Sequence, residues 1–231
     1  MGLTSQSCGR GALKTMFNLH PGSTDKVIAL AGNPNTGKST IFNLMTGLNQ
    51  HTGNWPGKTV IQATGYFYNA GVRYTLVDLP GTYSLLAKSA EEKVARNFIC
   101  FTQPDVTVVV TDATCLERNL NLVLQIMEIT PRVVVCVNML DEARRKKLSV
   151  DIEGLSVELG VPVIGMSARN GEGIPKLYEI IHNIAHGILR PTPKTIRYPD
   201  EVENAVSQLQ PLLSGVLDDS ISHRWKIGRA S

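Results

Sequence analysis

The feature that most constrains this chain is the segment GNPNTGKS, which runs from Gly32 to Ser39. It fits the pattern G-x-x-x-x-G-K-[ST], and it stands between an apolar stretch typical of a buried strand, KVIALAG, and a stretch with helical spacing, KSTIFNLMTG. In that context the backbone N–H groups of the loop and the N-terminus of the helix form a site for phosphate groups. Lys38 is expected to reach the β- and γ-phosphates, and Ser39 is expected to ligate Mg²⁺. The segment therefore predicts a nucleotide-binding loop.

The rest of the chain alternates between strand-like and helix-like stretches. After the first helix, which Gly47 ends, TVIQATGYFYNAGVRYTLVDLPG predicts two strands joined by a turn at Asn69-Ala70-Gly71. The apolar runs VTVVVT, RVVVCV and VPVIG follow as buried strands, and each is followed by a stretch with helical spacing. This order predicts an α/β fold with a mostly parallel six-stranded sheet, one antiparallel strand and helices on both faces.

Length and composition indicate one globular domain with a smaller appendage. Of the 231 residues, 42% are apolar and 19% are charged, and the net charge of +3 is too small to indicate binding to nucleic acid. We expect a flexible lead-in over residues 1–25, the main domain over 26–187, and a linker with a short helical appendage over 188–231. No stretch approaches the roughly 18 apolar residues that span a membrane, so we expect the chain as given to be soluble.

A second motif, DLPG, ends the third predicted strand. Asp78 at the carboxyl end of that strand suits a water-mediated contact with Mg²⁺, and Gly81 allows a backbone N–H to approach the γ-phosphate. Ras-like enzymes carry a water-orienting Gln directly after this glycine, whereas Thr82 occupies the position here. We therefore expect either slow hydrolysis or another means of stabilising the transition state.

A third motif, NMLD, follows a buried strand and runs from Asn138 to Asp141. The Asp141 carboxylate can accept hydrogen bonds from N1–H and the exocyclic amine of guanine, which adenine does not offer, and unpaired polar groups would penalise the wrong base. Met139 stands where most small GTPases have Lys, so we expect guanine specificity with modest affinity. The segment SAR, from Ser167 to Arg169, can offer a backbone N–H to the carbonyl of the base. In this order and strand context the motifs are those of a Ras-like P-loop GTPase.

The stretches GNPNTGKSTIFNLMTGLNQHTGNWPGKTV, DLPGTYSL and NMLDEA closely resemble the cytosolic GTPase domain of bacterial ferrous-iron transporters, the FeoB family. The resemblance covers about Lys26 to Gly187, and the Pro-Gly pair after Trp55 is its most specific part. It implies GTP hydrolysis that regulates iron(II) uptake at the cytoplasmic face of the bacterial inner membrane. The implied partner is the membrane-spanning region of a larger protein, and a homo-oligomer is a possible assembly. Lys58 departs from the family pattern, which usually has an uncharged residue before Thr59.

The resemblance also implies a bound K⁺, held by the Asn35 side chain and by the backbone carbonyls of Gly53 and Trp55. Its charge would offset the charge that develops on the leaving oxygen. The segment GNWPGKT carries Gly and Pro without an apolar period, so we expect neither helix nor strand there, with carbonyls turned inward. The Trp55 ring either anchors this loop or packs over a hydrophobic seam. Thr59, which follows this loop, is expected to close over Mg²⁺ and sense the γ-phosphate.

The expected site residues fall into three groups. Those expected to act in catalysis are Lys38, Asn35, Thr59 and Gly81. The expected metal ligands are Ser39, Thr59 and, through water, Asp78 for Mg²⁺, and Asn35, Gly53 and Trp55 for K⁺. The expected contacts to GTP or GDP are Gly32, Asn33, Pro34, Asn35, Thr36, Gly37, Lys38, Ser39, Thr40, Gly57, Thr59, Asp78, Gly81, Asn138, Met139, Asp141, Ser167, Ala168 and Arg169.

Two other functions stay open from the sequence alone. A nucleotide-sensing module that hydrolyses GTP slowly would fit Thr82, whereas Asn35 argues against it. A soluble GTPase of ribosome assembly or RNA modification predicts N-K-x-D and a basic appendage, which residues 200–231 do not offer. The basic run ARRKK is typical of a solvated face, and His182 with His186 is typical of an exposed helical pair rather than a metal site.

Overall fold

A computed structural model describes residues 25–47, 49–55, 60–86, 88–194 and 197–213. The strands in this part of the chain are β1 (Lys26–Gly32), β2 (Gln50–Asn54), β3 (Ile61–Asn69), β4 (Val72–Asp78), β5 (Val106–Asp112), β6 (Val133–Asn138) and β7 (Val163–Gly165). They form one sheet in the order β2-β3-β4-β1-β5-β6-β7. β3 runs antiparallel to its two neighbours, and the other adjacent pairs are parallel. The predicted α/β class with one antiparallel strand is confirmed, whereas the count of six strands was wrong because β2 adds a seventh.

Helices cover both faces of this sheet. They are α1 (Lys38–Thr46), α2 (Ala90–Asn97), α3 (Leu116–Ile129), α4 (Leu140–Arg145), α5 (Ile152–Leu159), α6 (Ile174–Ala185) and α7 (Asp200–Leu213). A π-helical turn over Phe98–Thr102 continues α2. The predicted stop of α1 at Gly47 is confirmed, and so is the turn between β3 and β4, where Ala70 and Gly71 have φ of 49° and 77°. Nowhere in the described ranges is a helix long and apolar enough to cross a bilayer.

The sheet brings the predicted motifs to one edge. β1 lies in the middle, between β4 and β5, and β6 and β7 follow in parallel. Because parallel strands present their carboxyl ends at the same edge of a sheet, the loops that follow β1, β4, β6 and β7 converge there. These strands end at Gly32, Asp78, Asn138 and Gly165, so each of the four motifs begins at this edge.

β2 is the strand that the sequence did not indicate. Gly53 and Asn54 lie in it, opposite Gln62 and Ile61 of β3, so the expectation of irregular backbone was wrong for these two residues. β2 lies at the edge of the sheet and four of its five residues are exposed, which explains why it carries no alternating apolar pattern. Main-chain pairing with β3, rather than side-chain burial, places this segment in the sheet.

The Trp55 side chain lies in the hydrophobic core. It is 2% exposed, and its ring meets that of Phe98 edge-on, with 5.5 Å between the ring centroids. The ring therefore packs over a hydrophobic seam, and because this burial also anchors residue 55, the two interpretations do not exclude each other. The backbone N–H of Trp55 donates to the carbonyl of Val60 at 2.9 Å.

His182 and His186 contact each other, and His182 also contacts Tyr74. The hydroxyl of the buried Tyr74 lies 2.7 Å from His182 Nδ1, and the two imidazole rings lie 4.2 Å apart. The expectation of an exposed pair was wrong for His182, which is half-buried because Tyr74 of β4 packs against it. His186 is exposed, as expected.

The chain beyond α6 runs back along the domain. The backbone N–H groups of Thr192 and Lys194 donate to the carbonyls of Gly160 and Leu159, at 3.1 and 2.9 Å. Farther on, the Tyr198 hydroxyl donates to Glu128 at 2.6 Å, and Val206 of α7 is buried. The expected helical stretch is thus present as α7. The division of the chain near residue 187 stays a prediction, and residues 1–24 of the expected lead-in lie outside the described ranges.

Candidate nucleotide site

The phosphate loop connects β1 to α1 through a backbone that requires glycine. A Cβ at Gly32 would lie 2.4 Å from the carbonyl oxygen of Val110, and a Cβ at Gly37 would lie 2.4 Å from Asn138 Nδ2. Gly37 also has φ of 85°, which disfavours other residues. Within the loop the Thr36 hydroxyl donates to the carbonyl of Asn33 at 3.0 Å. The loop is thereby held in a compact turn at the N-terminus of α1.

Lys38 lies beneath this loop and faces the DLPG segment. Its ammonium nitrogen is 3.1 Å from the position that a Cβ at Gly81 would take, so only glycine fits there without displacing the lysine. Burial lowers the pKa of Lys38, and the nearby Asp78 carboxylate opposes that effect. Burial likewise raises the pKa of Asp78 to about 6, against the influence of Lys38. The two charged groups therefore share a desolvated site that favours bound polar ligands.

The residues expected at Mg²⁺ fit a hard cation. Within the described ranges, the buried Asp78 Oδ1 has no hydrogen-bond partner. Such an oxygen is suited to bind a water molecule or a metal ion. Ser39 lies in the first turn of α1 and is exposed. A carboxylate and a hydroxyl are oxygen ligands of the kind that Mg²⁺ prefers. Thr59 and Gly57 lie outside the described residues, so their parts in the site stay predictions.

The base site is built around Asn138 at the end of β6. Its side-chain Nδ2 donates to the carbonyl of Thr36 at 2.9 Å, and its Oδ1 accepts from the backbone N–H of Ala168 at 2.9 Å. One buried amide thus joins the phosphate loop to the SAR segment. The methyl carbon of Met139 lies 3.8 Å from the position of a Cβ at Gly37, so this side chain packs beside the phosphate loop where the family of small GTPases has Lys.

Asp141 lies in the first turn of α4, beside the SAR segment. The side chain of the fully buried Ser167 is the largest influence that holds the pKa of Asp141 below its usual value. The backbone N–H of Leu140 donates to the carbonyl of Met166 at 3.1 Å. The carboxylate expected to read guanine is therefore favoured in its charged form. Arg169, next in the SAR segment, is exposed.

The basic run ARRKK also contributes to the base site. Arg144 forms an ion pair with Glu172 at 3.0 Å, and Glu172 exchanges two backbone hydrogen bonds with Ser167. Arg145 pairs with Glu142 and approaches Asp141. Two of the four basic side chains thus bind acidic groups of the base site, although all of the run from Arg144 to Lys147 is exposed, as expected for a solvated face.

The residues expected at K⁺ are placed differently from the rest. Asn35 is exposed in the phosphate loop with φ of 63°, Gly53 lies in β2, and Trp55 follows directly after that strand. An amide oxygen and two carbonyl oxygens are neutral, hard ligands that suit K⁺ by their chemistry. Their role stays a prediction.

The segment that follows Gly81 holds contacts that the motifs did not reveal. The Thr82 N–H donates to the carbonyl of Gly32 at 3.3 Å, and the Leu85 N–H donates to Gln125 of α3 at 2.7 Å. The Arg118 guanidinium stacks on the Tyr83 ring, 4.3 Å from its centroid. Ser89 caps α2 by accepting from the N–H of Glu92 at 3.1 Å, a contact that the pattern S-x-x-E could have predicted.

The central sheet, the phosphate loop and the base site at its carboxyl edge define a P-loop protein of the Ras-like GTPase fold. The family described as ferrous iron transport protein B matches residues 26–181, which is more than half of the chain. The chain therefore belongs to that family.

Individual relatives agree with this assignment. The chain is 39% identical over 194 residues to an Fe(2+) transport protein A/Fe(2+) transporter FeoB fusion protein of Porphyromonas gingivalis, with 82% of this chain and 23% of that protein covered. It is also 39% identical over 193 residues to the Fe(2+) transporter FeoB of Salmonella typhimurium, covering 80% and 25%. The chain thus spans about a quarter of the length of these relatives.

A solved structure has the same fold. The cytosolic domain of the T. maritima FeoB iron transporter in its GMPPNP form superposes with a TM-score of 0.81 at 34% identity. The match covers 87% of this chain and 78% of that chain. The sheet and the helices on its two faces are therefore those of a FeoB cytosolic domain.

Proposed function

We propose that this chain binds GTP with Mg²⁺ and hydrolyses it to GDP and phosphate, as the cytosolic GTPase domain of a ferrous-iron transporter. The observation that carries the proposal is the position of Asn138. Its amide is bonded both to the phosphate loop and to the SAR segment, which supports a phosphate site and a guanine site that lie side by side. The solved relative in its GMPPNP form supports the same choice of nucleotide, since GMPPNP is an analogue of GTP.

Each of these residues has a distinct role in hydrolysis, which follows from the part of the nucleotide that it contacts. The backbone N–H groups of the phosphate loop and the Lys38 ammonium bind the β- and γ-phosphate oxygens and offset the charge that develops on them. The N–H of Gly81 contacts the γ-phosphate, and Thr59 closes over it. Water attacks the γ-phosphorus in line, the bond to the β–γ bridging oxygen breaks, and GDP and phosphate leave. Ser39, Thr59 and, through water, Asp78 would hold Mg²⁺, which when bound would supply further positive charge to the phosphates.

Thr82 gives the site no carboxamide to orient the attacking water, because it stands where Ras-like enzymes have Gln. We propose that the Asn35 side chain and the carbonyls of Gly53 and Trp55 would hold K⁺. When bound, this cation would offset the charge that develops on the leaving oxygen, as an arginine does in other GTPases.

Hydrolysis at matched ionic strength in KCl and in NaCl tests the proposal. We expect a rate advantage in KCl of about tenfold, which corresponds to about 1.4 kcal/mol of transition-state stabilisation. In Asn35→Ala the advantage should disappear while GTP binding persists, and the exposed Asn204→Ala on α7 should keep the full response. Equally slow rates in both salts would instead favour a module that senses GTP and barely hydrolyses it, the alternative that Thr82 supports.

In the full-length protein we propose that this domain lies at the cytoplasmic face of the bacterial inner membrane and regulates iron(II) uptake by the membrane-spanning region. The identity to whole transporters, of which the chain spans about a quarter, supports this partner. Hydrolysis would release the two segments that contact the γ-phosphate, residues near Thr59 and those after Gly81. A variant defective in hydrolysis, such as Asn35→Ala, placed in the whole transporter should lower iron uptake, and unchanged uptake would contradict this coupling.

A further inference from the structure

Two histidines at the end of α6 lie away from the nucleotide site. His182 is in the last turn of α6, and His186 follows it by four residues at the C-terminal cap, so both side chains project from one face of the helix. His182 contacts Tyr74 of β4, whose partner in the parallel pairing is Lys26, the first residue of β1. Because the nucleotide motifs follow the carboxyl ends of these strands, the histidine pair lies toward the other edge of the sheet.

A hydrogen bond to the backbone determines which nitrogen of His186 is free. The Nδ1 atom of this ring lies 2.9 Å from the carbonyl oxygen of His182. A carbonyl oxygen only accepts, so Nδ1 of the neutral ring carries the proton and Nε2 keeps its lone pair. The side chain is exposed, and within the described ranges its hydrogen bond is made by Nδ1. His186 therefore presents Nε2 to solvent in the form that binds metal ions.

The Tyr74 hydroxyl orients the ring of His182 in a similar way. Its oxygen lies 2.7 Å from His182 Nδ1, and Tyr74 is fully buried and stacked on Phe67, so the position of this oxygen is fixed. A phenol oxygen can accept from Nδ1–H, which leaves the lone pair of His182 on Nε2. Histidines that ligate metal ions commonly donate their other ring N–H to an oxygen, and this bond holds the ring in place. Both histidines have such an oxygen partner.

The two imidazole rings are close enough to bind one ion together. Their centroids lie 4.2 Å apart, and the ring planes are tilted by 32°. Neutral imidazole nitrogen suits Ni²⁺, Cu²⁺ and Zn²⁺, whereas Mg²⁺ prefers oxygen ligands. Among the residues that the structure describes, no third His, Cys, Asp or Glu forms a ligand cluster with the pair, so water would complete the coordination.

We propose that His182 and His186 form a surface site for a divalent transition-metal ion, with the two Nε2 atoms as ligands and Tyr74 as the residue that orients His182. The spacing of the two histidines alone favoured an exposed pair without a metal, and the oxygen partners of their Nδ1 atoms are what change that interpretation. The site is separate from the nucleotide motifs and does not depend on the proposed function. An ion held between the two rings would join β4-bound His182 to the C-terminal cap of α6, so it should stabilise the fold.

Isothermal titration with Ni²⁺ tests this site on the chain purified without a polyhistidine tag. An excess of Mg²⁺ throughout the titration keeps Ni²⁺ from sites built of oxygen ligands. We expect the wild-type chain to bind one more Ni²⁺ than His186→Gln does. We expect Tyr74→Phe to keep this binding event but to weaken it by about tenfold, as for the loss of a partner that orients a ligand. Because His186 is exposed, His186→Gln should unfold at the wild-type temperature when no Ni²⁺ is present.

A third histidine provides the matched control. His51→Gln makes the same change at an exposed position of β2 and should keep the wild-type stoichiometry. Ni²⁺ should raise the Tm of the wild-type chain and of His51→Gln, but not that of His186→Gln. Equal Ni²⁺ binding by His186→Gln and the wild-type chain would overturn the inference, because the ion would then lie elsewhere. An equal loss in His51→Gln and His186→Gln would also overturn it, and an unchanged affinity in Tyr74→Phe would overturn the orienting role of Tyr74.

Discussion

Lys38 and Asp78 form a pair of opposite charges in a site where burial opposes the charged form of each. Each is desolvated, and each is the largest electrostatic influence that keeps the other charged. Asp78 Oδ1 also lacks a hydrogen-bond partner within the described ranges. A buried oxygen of this kind favours any ligand that supplies a hydrogen-bond donor or a cation.

The raised pKa of Asp78 predicts a pH dependence of stability. Burial raises this pKa from 3.8 to about 6, so between these values the folded state binds more protons than the unfolded state. The free energy of unfolding should therefore fall as pH rises from about 4 to 6, by at most on the order of 2–3 kcal/mol for this group. Urea unfolding at fixed ionic strength, without nucleotide and with a chelator, measures this free energy at each pH. Asp78→Asn should show a shallower fall, and an identical slope in the variant would contradict the assignment.

At the scale of elements, the short stretch from β2 to Trp55 is fixed in two different ways. β2 is held by main-chain pairing to β3 at the open edge of the sheet. Trp55, one residue later, is held by burial of its ring against Phe98. The edge strand contributes few apolar contacts, so the ring is expected to supply most of the stability with which this part of the chain is fixed.

Replacing the Trp55 ring tests how much it contributes to stability. Trp55→Ala removes a large side chain that is 2% exposed, and we expect it to lower the free energy of unfolding by about 3–5 kcal/mol. Ile61→Ala, at a position that is 72% exposed, should change stability by less than about 0.5 kcal/mol. Urea unfolding of both variants makes the comparison, and a loss at Trp55 as small as that at Ile61 would show that the ring does not hold the core together.

The same elements show what the sequence could predict. Strands such as β1, β5 and β6 are buried on both faces, so their apolar runs identified them and their order gave the fold. β2 was missed because an exposed edge strand leaves no such run. Among the residues brought to this edge, the motifs identified Lys38, Asp78 and Asn138, but not the ion pair of Arg144 with Glu172. That pair depends on how α4 meets the loop after β7, which is a property of the tertiary structure.

At the scale of the whole molecule, residues far apart in the sequence meet at one edge of the sheet. Asn138 bonds to Thr36, which precedes it by 102 residues, and to Ala168, which follows it by 30. A nucleotide bound across these elements would contact loops from both halves of the sheet. Binding should therefore stabilise the entire fold rather than one loop.

Thermal unfolding with nucleotide tests this linkage and the choice of base together. GDP at about 100 times its Kd should stabilise the chain by about 2.7 kcal/mol, which corresponds to a rise in Tm of about 5–10 °C. In Asp141→Asn the rise with GDP should shrink and a rise with XDP should appear, because a carboxamide can donate to the C2 carbonyl of xanthine. An Asp141→Asn chain that keeps the full GDP response would contradict the role of Asp141.

The two bonds of Asn138 also have a practical consequence. Because this amide is bonded to both the phosphate loop and the SAR segment, we expect the spacing of the site to depend on residue 138 and the choice of base to depend on residue 141. Selectivity can therefore be changed without rebuilding the phosphate site. An Asp141→Asn transporter would respond to an added xanthine nucleotide in a membrane preparation that contains many other GTPases. Its contribution to iron uptake could then be separated from theirs.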